Sequence, residues 1–141
     1  MEETRLIGID TNVLVRFLVQ DDPVQSDQAS ELIEQGTSNG LSILINRIVL
    51  CETVWVLETA YKFPRNEILD TVEKILQTAE FEIEDKDAAW QALQDSRQYE
   101  VDFSDSFIGR QNKILACEYT ATFEKKLRRL PTFKYAARHS S

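Results

Sequence analysis

The sequence predicts an α/β fold in which a mostly parallel sheet of four to five strands is flanked on both faces by helices. Three observations carry this expectation. Short, nearly continuous apolar runs suit strands buried on both faces. Longer segments between them repeat apolar residues at helical spacing, and cap or turn residues stand at the junctions. Strands alternating with helices in this way indicate a parallel sheet. With 141 residues the chain fits one domain, taken as 1–141, and a chain near this size buries roughly 70% of the surface it exposes when unfolded.

The elements follow in order. Leu6-Ile7-Gly8-Ile9, ended by Asp10, reads as a buried central strand. Val13, Leu14, Phe17 and Leu18 then recur at helical spacing until Asp21-Asp22-Pro23 closes the helix. A second helix turns Ala29, Leu32 and Ile33 inward and ends near Gly36. Residues 41–45 form the next strand, and Asn46 caps a helix over about 47–61. Phe63-Pro64 breaks that helix, and the next carries Ile68, Leu69, Val72, Ile75 and Leu76. Phe81-Glu82-Ile83 alternates like a strand, and residues 85–99 read as a helix. A further helix, entered through Asp102, covers 103–116. Strands over 118–122 and, shorter, Phe133-Lys134-Tyr135 complete the chain.

Composition narrows the function. Apolar residues make up 43% and charged residues 28%, an ordinary globular balance. The run Leu6-Ile7-Gly8-Ile9 is too short for a signal-peptide core, and no segment approaches a membrane span, so a cytoplasmic protein without membrane contact is expected. Cys51 and Cys117 lie far apart in apolar stretches and read as reduced core residues. The single histidine, His139, disfavours a zinc site. A net charge of −8 argues against broad electrostatic binding of nucleic acid. Yet six of the sixteen basic residues (Lys125, Lys126, Arg128, Arg129, Lys134, Arg138) follow residue 124, where no acid lies. That end is a phosphate-facing edge, a surface for an acidic partner, or a plain solvated terminus.

Most acids fall on solvated helix faces, but a few do not. Asp10 directly follows the first strand, where ligands of open α/β sheets collect, although an Asp there also serves as a helix N-cap. Glu52 is the only charged residue in the ten-residue window from Ile48 to Leu57. It needs a cation, a donor network or a cleft, unless the helix exposes a narrow stripe. Asp102 and Asp105, three apart, share one side of a first helical turn, which also fits a capping box and the helix dipole. Glu124 follows a strand and opens a lysine-rich turn. Carboxylates from separate elements meeting at one sheet edge would repel unless a divalent cation neutralised them. Mg²⁺ suits oxygen ligands and keeps several waters, and Mn²⁺ accepts the same donors. Such an ion can activate water against a phosphodiester, with no histidine required.

The residues also resemble a known family. Ile9-Asp10-Thr11-Asn12-Val13-Leu14-Val15-Arg16-Phe17-Leu18 resembles the opening motif of PIN-domain nucleases, especially VapC-like toxins. Asp21-Asp22-Pro23 is similar to a subgroup of them. Glu52-Thr53-Val54-Trp55-Val56-Leu57-Glu58 resembles the second motif, and Asp102-Phe103-Ser104-Asp105-Ser106-Phe107-Ile108-Gly109 the third. Thr122-Phe123-Glu124-Lys125-Lys126-Leu127 resembles the fourth, followed by Leu130-Pro131. The resemblance implies a three-layer α/β/α sandwich and endonucleolytic cleavage of RNA with Mg²⁺ or Mn²⁺. It maps Asp10, Glu52 and Asp105 onto the metal-binding acids, favours Asp105 over Asp102 as the ligand, and gives Thr11, Asn12 and Asp102 supporting roles. It further implies a homodimer and a small antitoxin partner. At the fourth motif the family usually has Asp where this chain has Glu124, whose extra methylene lets the carboxylate reach about 1 Å further.

Two other readings stay open. A degenerate PIN domain would hold RNA or protein without cutting, with Glu124 and the acidic balance in its favour. A phosphatase working through an aspartyl phosphate would need a second Asp close to Asp10, which the sequence lacks.

Overall fold

The computed structural model describes residues 5–136. Arg138 and His139, both singled out above, lie outside the described residues. The chain divides into two compact units, Met1–Glu84 and Asp85–Ser141. All five strands pair in parallel, as the α/β expectation requires, but three form one sheet and two another, where a single sheet was expected.

The first unit contains β1 (Arg5–Gly8), α1 (Thr11–Val19), α2 (Pro23–Ser38), β2 (Leu41–Ile45), α3 (Arg47–Thr59), α4 (Arg65–Gln77) and β3 (Phe81–Ile83). Its sheet runs β1-β2-β3, with Ile7 beside Ile43 and Ile43 beside Phe81. Thus β2 is the central strand and β1 an edge of this sheet, contrary to expectation. Ile43 and Ile45 are fully buried, whereas Leu6 is 44% exposed. An apolar run shows that a strand is covered somewhere, but not which strand has two neighbours.

Side-chain caps fix where these helices begin. The Asp22 Oδ1 accepts the N–H groups of Val24 and Gln25, with Pro23 at the first helical position, and Asn46 Oδ1 accepts from Val49 N–H at 2.8 Å. Helix α2 does not stop at Gly36 but passes through it to Ser38. A Cβ there would stand 3.1 Å from Ile7 Cδ1 and 3.4 Å from Ile43 Cδ1, so the glycine serves close packing of helix on sheet. Leu32, expected inward, is 40% exposed. Helix α3 buries Val49, Leu50, Thr53, Val54 and Leu57 but leaves Ile48 and Trp55 on an open face, so it is less enclosed than its composition suggested.

The second unit contains α5 (Lys86–Tyr99), α6 (Phe103–Ile114), β4 (Thr120–Thr122), a 3-10 helix (Lys125–Arg129) and β5 (Phe133–Tyr135). Small buried residues, Ala88, Ala89 and Ala92, let α5 lie against α6. Val101, Leu127, Leu130 and Phe133 form a core cluster, with Tyr99 packed against it. Gly109 permits the closest approach, because a Cβ would collide with Thr132 Oγ1 and the Phe133 ring. Between the helices, the Arg110 guanidinium forks onto Asp95 at 2.6 and 2.9 Å, and Asp95 is only 4% exposed. Neither cysteine is in a disulfide, but the expectation of two core residues fails: Cys51 is half-buried and Cys117 exposed. Among the described residues no helix is long and apolar enough to cross a membrane.

Candidate active site

In the first unit, Asp10 occupies the turn between β1 and α1 in extended backbone conformation. Its Oδ1 accepts the Val13 N–H at 3.0 Å, so the carboxylate's direction is set by the start of the helix. The capping reading of Asp10 is therefore correct, and it leaves room for a second role because the side chain is exposed. Thr11 follows as a buried residue and Asn12 as an exposed one. Glu52 is also exposed, one turn into α3.

Glu52 shares an open cleft of about 380 Å³ with Thr11, Asn12, Arg16 and Tyr61. One end of that cleft is held by a polar cluster that sequence reasoning did not find. Arg16 Nη1 meets both oxygens of Asp21 at 3.0 and 3.1 Å, and the Tyr61 hydroxyl donates to Asp21 Oδ2 at 2.8 Å. Arg16 Nε also donates to Gln25. Donation from Tyr61, and then from Arg16, holds the Asp21 carboxyl below its ordinary range, while Asp21 pushes the Tyr61 hydroxyl up. Tyr61 stands 45 residues from Arg16, and local periodicity carries no signal for such a partner.

In the second unit, Asp102 occupies the N-cap position of α6 without a side-chain cap hydrogen bond. The capping-box account of this pair therefore does not hold. Its backbone carbonyl accepts the Ser106 N–H at 3.1 Å, while Asp105 sits in the first turn, partly shielded. Burial pushes the Asp105 carboxyl above its ordinary range, with Asp102 and Glu124 adding like charge and Lys126 working the other way. Glu124 is exposed at the start of the 3-10 helix, where its backbone N–H donates to Thr122 Oγ1 at 3.0 Å. Glu124 and Asp102 therefore both act on Asp105, one from the β4 turn and one from its own helix.

Asp10 and Glu52 thus belong to the first unit, and Asp102, Asp105 and Glu124 to the second. Among the described residues, no group of three or more His, Cys, Asp or Glu side chains is arranged to hold one metal ion. The chemistry of the second group nonetheless fits a hard divalent cation. Its donors are all carboxylate oxygens, and the repulsion felt at Asp105 is of the kind a 2+ charge relieves.

The family model of the PIN domain matches residues 7–132. The chain is also similar to a VapC ribonuclease of Aquifex aeolicus (strain VF5), at 25% identity over 122 residues, covering 86% of this chain and 90% of that protein.

Proposed function

This chain belongs to the PIN-domain family, and from that premise we propose that it is a metal-dependent RNA endonuclease, the toxin of a toxin–antitoxin pair. Similarity to a VapC ribonuclease along most of both chains supports the activity. The observation that carries the reading is the placement of Asp105, a half-buried acid in the first turn of α6, pressed by burial, Asp102 and Glu124 and relieved in part by Lys126. A fold gains no stability from such repulsion, whereas a site that gathers a cation and a phosphodiester uses it. The match over 7–132 supports treating residues 1–141 as one PIN domain.

In this reading Asp10, Glu52 and Asp105 are the metal-binding acids, and Mg²⁺ or Mn²⁺ is the ion. When bound, the ion would lower the pKa of a water and neutralise charge on the phosphodiester. Asp10 presents a carboxylate already oriented by its hydrogen bond to Val13. Thr11 and Asn12 support that turn, Asp102 reinforces the negative potential at Asp105, and Glu124 orients the attacking water. A cytoplasmic homodimer restrained by a small antitoxin completes the proposal.

The test is cleavage of a structured RNA by purified protein with Mn²⁺ or Mg²⁺. Asp10→Asn and Asp105→Asn should each lower the rate at least about a hundredfold. Cleavage that persists in excess chelator would sink the proposal. A second reading, a PIN domain that binds RNA or protein without cutting, is favoured by Glu124 standing where the family usually has Asp. A calorimetric titration separates the two readings: no Mn²⁺ or Mg²⁺ binding in the millimolar range alongside tight partner binding marks the module, whereas a nuclease binds the ion and cuts.

A further inference from the structure

We propose that the exposed surface around β4, with the start of the adjoining 3-10 helix, binds an extended single-stranded RNA segment, its bases on Tyr119 and Phe123 and its phosphates near Lys134 and Lys125. The choice of RNA as occupant rests on the ribonuclease reading; the surface itself is argued from the following geometry.

Strand β4 spans Thr120–Thr122, with Ala121 turned outward and Tyr119 and Phe123 flanking its two ends. All three are exposed, Tyr119 at 45% and Phe123 at 77%. Their exposure does not reflect a missing core, because Leu127, Leu130 and Phe133 close one with Val101. Ala121, small and central, pairs in register with Lys134. Lys134 reaches sideways until its Nζ lies 4.7 Å from the centre of the Tyr119 ring, and the Arg128 guanidinium lies 5.3 Å from that of Tyr135. Lys134 and Tyr119 thus set a cation beside a ring on the Ala121 side of the sheet, while Tyr135 and its Arg128 partner lie on the other side of β5.

Charge and spacing choose among occupants. Residues 117–136 hold five cations (Lys125, Lys126, Arg128, Arg129, Lys134) and two carboxylates (Glu118, Glu124), in a chain whose net charge is −8. An anion is therefore drawn to this face in preference to the remainder of the surface. An acidic peptide would satisfy the cations but leave the Phe123 ring unused. Tyr119 and Phe123 stand at opposite ends of β4, four residues apart along a chain that extends by up to about 14 Å over that length, against roughly 3.4 Å between stacked bases of a duplex. The two rings would then receive separate, unstacked bases, which a single strand offers and a duplex does not.

The experiment is fluorescence anisotropy with the full chain and a short fluorescein-labelled oligouridine, in chelator so that the probe stays intact. Phe123→Ala should weaken binding roughly 5- to 100-fold, and Phe123→Trp should retain it. Lys134→Gln should lower the dependence of log K on log salt by about 0.7. Because Phe123 is mostly exposed, circular dichroism of Phe123→Ala should match the parent. Unchanged affinity in Phe123→Ala would overturn the proposal, as would equal affinity for duplex RNA. So would a polyglutamate peptide that binds as tightly as the oligouridine and ignores Phe123. A parallel assay with Mn²⁺ separates the two readings. Phe123-dependent binding without cleavage supports this surface and sinks the nuclease, whereas cleavage with Phe123-independent binding does the reverse.

Discussion

Asp95 on α5 and Asp105 on α6 are both shielded carboxylates of the same unit, yet they are held in opposite ways. Asp95, 4% exposed, lies in the fork of Arg110, which meets both of its oxygens. Asp105 faces burial and the like charges of Asp102 and Glu124, offset in part by Lys126. The first arrangement cancels a charge inside the fold; the second keeps one available. An acid that serves the structure brings its own counter-charge, and an acid that serves a ligand leaves that position to the ligand.

The comparison breaks first at Arg110. Arg110→Met strands a buried carboxylate and should cost about 3–5 kcal/mol in urea unfolding, while the paired replacement Asp95→Leu/Arg110→Met should recover most of it. If the single variant unfolds like the parent, Asp95 is not a structural acid. Asp105→Asn should show the reverse pattern, with RNA cleavage falling at least about a hundredfold and the fold kept. Gly109→Ala tests the α6–β5 contact next door, where overpacking should cost about 1–3 kcal/mol by thermal unfolding.

The smallest effect concerns sign. Because the Asp105 carboxyl titrates above its ordinary range in the fold, its contribution is favourable below the unfolded carboxyl range, about pH 4. That contribution is lost as pH rises through the raised value. Asp105→Asn should therefore have the higher Tm at neutral pH and lose that advantage near pH 3. Mn²⁺ should raise the Tm of the parent at neutral pH more than that of the variant, because only the parent keeps the ligand charge.

Much of the fold was legible in sequence, where local chemistry decides. Asn46 and Asp22-Pro23 announced two helix starts, and strands at 41–45, 81–83 and 133–135 fell where the apolar patterns put them. What stayed hidden depends on partners distant along the chain. Gly36 read as a helix stop because its use, contact with Ile7 and Ile43, is invisible to periodicity. The edge position of β1 and the outward turn of Leu32 are likewise matters of neighbours. Among the candidate acids, the three-residue spacing of Asp102 and Asp105 was readable directly. The influence of Glu124 on Asp105 was not, because it comes through the fold from another element. The Arg16–Asp21–Tyr61 cluster and the Asp95–Arg110 fork escaped for the same reason.

Cys117 has a practical consequence for anyone who purifies this protein. Its thiol is at the surface, on a segment where Leu115 is also exposed. Storage in air would link molecules through that sulfur and yield a covalent pair with no biological meaning. Sizing by light scattering should therefore be done in fresh reductant, or on Cys117→Ser, before any dimer is credited to the native state.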